Sequence, residues 1–113
     1  MKISYKNQTI ERINSDVCVV TEYPMMDNDL DFAVVNVSGR YPNRKYAMNT
    51  KCKEIVYVQN GTGKVVVNDT EYLLNVGDVV LIEAGEKFYW EGNLALCISC
   101  HPAFNIEQHQ VVD

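Results

Sequence analysis

Apolar and polar residues alternate with a period of two along much of this chain, in short runs rich in Val, Ile, Tyr and Phe. Runs of that kind predict strands, and the residues between them are turn formers. The pattern is densest from Lys51 to Gly92, KCKEIVYVQNGTGKVVVNDTEYLLNVGDVVLIEAGEKFYWEG, with breaks at Asn60-Gly61-Thr62-Gly63, Asn68-Asp69 and Val76-Gly77-Asp78. Those breaks carry residues that tolerate a positive φ or a tight reversal. An antiparallel β-barrel or sandwich is the expected result.

Strands are predicted over residues 9–13, 17–20, 32–37, 46–49, 54–59, 64–67, 70–74, 78–83, 87–91 and 94–101. They recur about every ten residues, with no helical-period segment of useful length and no internal repeat, which is the signature of an all-β barrel. Residues 64–67 and 70–74 are expected to pair across the two-residue turn Asn68-Asp69. Alternation along 54–59 puts Glu54, Val56 and Val58 on one face and Ile55, Tyr57 and Gln59 on the other. Both faces are largely apolar, so both call for cover, and in so short a chain a second copy is the simplest cover for the outer one. A homodimer is therefore expected. After Pro102, Asn105 is placed to cap one turn of helix, with Gln108 three positions on.

Composition narrows the partners. The 113 residues make one domain, and 15 acidic against 10 basic side chains leave a net charge of -5, which repels phosphate backbones and excludes non-specific nucleic-acid binding. No apolar run approaches the roughly 20 residues of a membrane helix, so no membrane partner is expected. The first sixteen residues lack the apolar core of a secretory signal, and a cytoplasmic location is expected. Cys18, Cys52, Cys97 and Cys100 then read as reduced thiols packed as small hydrophobes.

Two stretches within this frame resemble the cupin motifs. Glu54-Ile55-Val56-Tyr57-Val58-Gln59-Asn60-Gly61 resembles the second half of the first motif, a Glu and a Gly six residues apart. Gly77-Asp78-Val79-Val80-Leu81-Ile82-Glu83-Ala84-Gly85-Glu86-Lys87-Phe88 resembles the second: Gly, five residues, usually Pro, one residue, Gly, two residues, His. The resemblance spans roughly residues 32–104, and the tail Pro102-Ala103-Phe104 is similar to that of small bacterial cupins. It implies a double-stranded β-helix, the jelly-roll cupin barrel, over 32–104. An N-terminal arm with edge strands over 1–31 precedes it and a C-terminal tail over 105–113 follows, all in one structural domain, with the ligand site inside the barrel mouth.

Metal-dependent cupins hold a divalent ion with three imidazoles and one carboxylate. Carried across residue by residue, the two first-motif histidines fall on Ala47 and Asn49, the Glu on Glu54 and the last His on Phe88. A loop one residue shorter moves the first pair to Met48 and Thr50, which restores no ligand. Three of the four ligands are absent, and no metal or other cofactor is expected. Glu83 stands where the family has Pro, either on the surface or at the mouth opposite Glu54.

The remaining motifs carry less. Met25-Met26-Asp27-Asn28-Asp29-Leu30-Asp31 is acidic but lacks the Gly and terminal Glu of an EF-hand loop, so a solvated loop is expected. Arg40, Arg44 and Lys45 read as surface cations. Cys97-Ile98-Ser99-Cys100-His101 matches the c-type haem attachment pattern, yet in a strand its two thiols face opposite ways. His109 is expected to be solvated in the polar tail, and His101 to end the last strand.

The function these readings favour is binding of a small polar organic molecule, a sugar or an organic acid, without a metal. Asn49 and Glu54 supply polar contacts, and Phe88 and Trp90 supply flat apolar walls. Two alternatives stay open: a structural or regulatory homodimer module using the face of Ile55 and Tyr57, and a metal-independent isomerase or epimerase in which a buried Glu54 is the base.

Overall fold

The computed structural model describes residues 1–113 and contains nine strands: β1 (Ile10–Ser15), β2 (Cys18–Tyr23), β3 (Phe32–Tyr41), β4 (Tyr46–Asn49), β5 (Lys53–Val67), β6 (Thr70–Leu74), β7 (Val79–Ile82), β8 (Lys87–His101) and β9 (His109–Val112). Every pairing is antiparallel, and β8 is the axis. One edge of β8 pairs with β5 along its whole length, from Lys53↔His101 to Val67↔Phe88. Its other edge pairs with β3, which continues through β2 to β1, and with the short β4, which β9 covers. The ends of β5 pair with β7 and β6. The sheet curls around one core as a jelly roll.

Sequence alternation explains which side is inside. Phe88, Trp90, Leu94, Leu96, Ile98 and Cys100, all at even positions of β8, are buried. Glu54, Val56 and Val58 of β5 turn inward with them, while Ile55 and Tyr57 remain exposed on the outer face, as period-two alternation requires. The turn at Asn68-Asp69 has φ of 48° and 68°, the left-handed pair that a two-residue hairpin demands. Asn105 accepts a hydrogen bond from the Glu107 N–H and caps a single 3₁₀ turn, Ile106–Gln108, as its position predicted.

Three predicted breaks are not breaks. Residues 54–59 and 64–67 form one strand, β5, with a bulge between Val58 and Asn60, and 87–91 and 94–101 form another, β8. β3 likewise runs past Gly39 to Tyr41. The reason lies in the register. Gly39 pairs with Gly92, and Gly92 pairs with Gly63, so three glycines sit abreast on neighbouring strands. At Gly92 φ is +136°, and a Cβ there would lie 2.5 Å from Gly63 Cα and 2.6 Å from Thr62 O. These glycines permit close approach of the backbones along a crease, so the long strands bend from one wall of the barrel to the other without being interrupted.

Residues 24–31 are also more than a solvated loop. Asp31 Oδ1 accepts from Cys100 N and Oδ2 from Phe104 N, both at 2.7 Å, and the Asp31 carbonyl accepts from Ser99 Oγ at 2.8 Å. The loop is thereby pinned against the exit of β8 and forms part of the barrel mouth. All four thiols are free; Cys18, Cys52 and Cys100 are buried, while Cys97 faces the other way towards Gln59. No helix is long and apolar enough to cross a membrane.

Candidate functional site

A cavity of about 250 Å³ opens inside the barrel between β1–β3, β4, the inner ends of β5 and β8, and the tail after Pro102. At roughly 30 Å³ per water it has room for about eight waters, the scale of one monosaccharide. Asn49, Glu54, Phe88 and Trp90, the four predicted site residues, all line it. Phe88 and Trp90 meet edge to face, with ring centroids 6.2 Å apart, and form one wall. Arg12 and Glu22, ion-paired across β1 and β2, stand nearer the opening, with the Arg12 guanidinium 5.1 Å from the centre of the Phe104 ring. Glu83 is exposed and does not line the cavity.

The positions that hold metal ligands elsewhere converge here too, with β4 setting Ala47 directly across from Phe88 of β8. The donor set does not fit a metal ion. A methyl group and a phenyl ring occupy two of the four positions, Asn49 Oδ1 already accepts two hydrogen bonds, and no three His, Cys, Asp or Glu side chains cluster closely enough to share a cation.

A chain of hydrogen bonds runs along the same floor. The backbone N–H groups of Lys51 and Cys52 donate to Gln108 Oε1 at 3.1 and 3.2 Å, and Gln108 Nε2 donates to Asn49 Oδ1 at 3.2 Å. His109 Nδ1 lies 2.8 Å from the same Asn49 oxygen, and His109 Nε2 lies 3.3 Å from Tyr41 Oη. His109, expected to be solvated, is instead half-buried and lines the cavity. β9 puts it there by pairing with β4, where His109 sits opposite Asn49. The four residues HQVV were too short a run to stand out as a strand. Tyr41 was missed because the predicted strand stops at Val37, before Gly39 and Pro42, whereas β3 runs on to Tyr41.

Electrostatics separate the two sides of the cavity. Burial raises the Glu54 carboxyl from 4.5 to about 7, with nearby Asp31 adding to the rise and the Cys100 thiol opposing it as its Sγ donates to Glu54 Oε2 at 3.8 Å. Burial, then the Arg12 charge, lowers His109 from its ordinary value and keeps it neutral, and burial raises Tyr41. Cys18 is pushed up to about 11 by burial. Sharing a hydrogen bond with Cys52, together with burial, raises Cys100, while the same bond lowers Cys52; Cys18 and Cys100 therefore stay protonated.

Three polar groups on the cavity wall have no partner within the chain: Asn49 Nδ2, Trp90 Nε1 and Glu54 Oε1. All belong to buried residues, yet the only unpartnered side-chain polar atoms sealed away from solvent are Ser4 Oγ and Arg40 Nε. The three therefore open onto the cavity, where a guest can satisfy them.

A single curled antiparallel sheet with its site inside the mouth defines a cupin, and solved structures agree. Pac13 from Streptomyces, a nucleoside dehydratase also solved with uridine, superposes with a TM-score of 0.88 at 17% identity over 99% of this chain and 91% of that one. An RmlC-like cupin from Shewanella frigidimarina gives 0.75 at 16% identity over 92% and 93%, and oxalate decarboxylase from Bacillus subtilis gives 0.77 at 13% over 99% and 32%. At such identities the likeness is one of fold. Residues 33–91 match the AraC-like ligand-binding domain, and the chain belongs to that family. No curated protein matches it by sequence.

The Glu54 carboxyl gives a pH signature. The folded state keeps its proton up to about pH 7, while the unfolded chain releases it near 4.5. Between those values the folded state holds the extra proton, so stability falls as pH rises, by on the order of 3 kcal/mol in all. Glu54→Gln, neutral throughout, should match the parent within about 1 kcal/mol at pH 4.5 and exceed it by about 3 kcal/mol at pH 8 in urea unfolding. An equal gap at both pH values contradicts a proton held on Glu54.

Proposed function

We propose that this domain binds a small polar organic molecule, of the sugar or organic-acid type, in the cavity and without a metal ion. The observation that carries this reading is the set of unpartnered polar groups, Asn49 Nδ2, Trp90 Nε1 and Glu54 Oε1, facing one space between aromatic walls. Two donors and a carboxyl suit hydroxyl and carbonyl oxygens, while the Phe88 and Trp90 rings suit a flat or C–H-rich face. Membership of a ligand-binding family supports it. So does the similar Pac13, which has been solved with uridine, a sugar bearing a flat ring.

The test uses uridine, D-fructose, dihydroxyacetone and 2-oxobutyrate as probes. Trp90 is the only tryptophan, so its indole N–H gives a single NMR signal. At least one probe should move that signal and, at a hundredfold excess over its Kd, raise the Tm by roughly 10 °C. Trp90→Phe should weaken that probe about tenfold, the worth of one hydrogen bond. A Trp90 signal that no probe moves contradicts the reading.

A second reading concerns the outer face, where the cross-strand pairs Ile55↔Leu81 and Tyr57↔Val79 place four exposed apolar side chains in one patch on β5 and β7. We propose that a second copy of the chain covers it, because packing two such patches together removes apolar area from water on both. Light scattering should give the mass of two chains for the parent and of one for Tyr57→Asp. A monomeric parent contradicts this.

A further inference from the structure

The hydrogen bonds at the cavity floor have a fixed direction, set from one end. The amide groups of Lys51 and Cys52 are backbone donors and cannot reverse, so the Gln108 side chain must present Oε1 to them and Nε2 to Asn49. Asn49 must then present Oδ1 as an acceptor, and the atom facing it, His109 Nδ1, must carry the proton. A neutral imidazole protonated at Nδ1 has a lone pair at Nε2. Tyr41 Oη is therefore the donor in the last bond, and a basic nitrogen sits behind a phenol at the cavity wall.

This network ends on a hydroxyl that lines the cavity. Across that cavity stands a carboxyl whose surroundings act in the opposite sense: burial raises Glu54 to about 7, so that it holds its proton below neutral pH, and burial lowers His109. A ready donor and a ready acceptor thus share one space. Facing Tyr41 and His109 are Arg12 from β1, Cys18 from β2, Glu54 from β5 and the Phe104 ring; beside Glu54 stand Asp31, Cys52 and Cys100.

We infer that Tyr41, backed by His109 and Asn49, is a general base and Glu54 the general acid of a metal-free catalyst that moves protons at a carbon next to a carbonyl group. This rests on the ligand reading above and assigns an activity to the same cavity. The substrate C–H bond breaks and its proton passes to Tyr41 Oη as the phenol's own proton moves to His109 Nε2. The C–H electron pair becomes the carbon–carbon π bond of an enol, and the carbonyl oxygen takes the proton of Glu54. The products of the step are an enol, a Glu54 carboxylate and a His109 imidazolium whose Nδ1–H remains on Asn49 Oδ1. Return of a proton to the carbon reverses every transfer, so no oxidant or reductant is consumed. Tyr41 and Glu54 are the catalytic residues, and Asn49 is a positioning residue acting through His109.

The experiment follows exchange of the α-hydrogens of D-fructose, dihydroxyacetone and 2-oxobutyrate for deuterium in D2O by proton NMR, alongside the Trp90 signal that reports binding. A probe that binds should lose its α-proton faster with protein than with buffer alone. Tyr41→Phe, which removes only the hydroxyl, should slow that exchange about a hundredfold or more and change the affinity less than about threefold. At saturating probe, Asn49→Leu should slow exchange more than about tenfold, and Asn49→Asp, which still accepts from His109 Nδ1 but loses the Nδ2 that faces the guest, should bind the probe more weakly yet exchange it faster at saturation than Asn49→Leu. The parent alone carries a further test that no folding defect can confuse: exchange should fall about tenfold per pH unit above pH 7, as Glu54 loses the proton it must donate. Probes that bind without exchanging, a Tyr41→Phe protein that exchanges as fast as the parent, or a rate that is flat from pH 6 to 9 each overturn the relay and leave the ligand reading standing. Failure of every probe to bind overturns both.

Discussion

Two backbone N–H groups, on Lys51 and Cys52, give the interior of this barrel its polarity. A side-chain amide can flip and an imidazole can change tautomer, but a peptide group in a fixed chain can do neither. Each donor and acceptor downstream is set by that constraint: the Gln108 amide, the Asn49 oxygen, the His109 tautomer and the Tyr41 hydroxyl. The links come from Tyr41, from residues 49–52 and from residues 108–109, and the pairing of β4 with β9 brings the last of these to the others. The last residues of the chain, a capped 3₁₀ turn followed by β9, are therefore part of the site's construction.

The glycine crease supplies the other half of the geometry. Because Gly39, Gly92 and Gly63 lie abreast, β3, β5 and β8 bend without ending, and each delivers side chains on both sides of the bend. β8 brings Phe88 and Trp90 to the cavity wall before the bend and Ile98 and Cys100 after it, and packs Leu94 and Leu96 into the core between them. β3 similarly contributes Val35 and Val37 before the crease and Tyr41 after it. A side chain at Gly63 or Gly92 would force the backbones apart, one at Gly39 would press on Val17, and the polar chain at the floor depends on distances near 3 Å.

Much of this was legible in the sequence. Period-two alternation placed Glu54, Val56 and Val58 inside and Ile55 outside, and Asn68-Asp69 named its own turn. The resemblance of the stretches around Glu54, Gly77 and Gly85 to the cupin motifs implied that Asn49, Glu54 and Phe88 face one site. What stayed hidden followed from ambiguity in residue types. Glycine marks a turn and a close approach with the same letter, so Gly39, Gly61, Gly63 and Gly92 read as strand ends. A single His in a polar tail looks solvated until a neighbouring strand recruits it, and HQVV has too few residues to declare itself. Asp31 looked like one acidic residue of a loop, because its three hydrogen bonds reach residues about seventy positions away.

The positions that hold metal ligands in other cupins have taken different work in this chain. Ala47 and Phe88 close off space with apolar surface, Glu54 is kept protonated by burial, and Asn49 orients an imidazole from a strand near the end of the chain. The account therefore depends most on where one proton sits. Neutron diffraction from crystals grown in D2O at pH 7 locates it directly. The account predicts deuterium on His109 Nδ1, none on Nε2, and the Tyr41 hydroxyl deuterium pointing at Nε2; deuterium on Nε2 with a bare Nδ1 would contradict it.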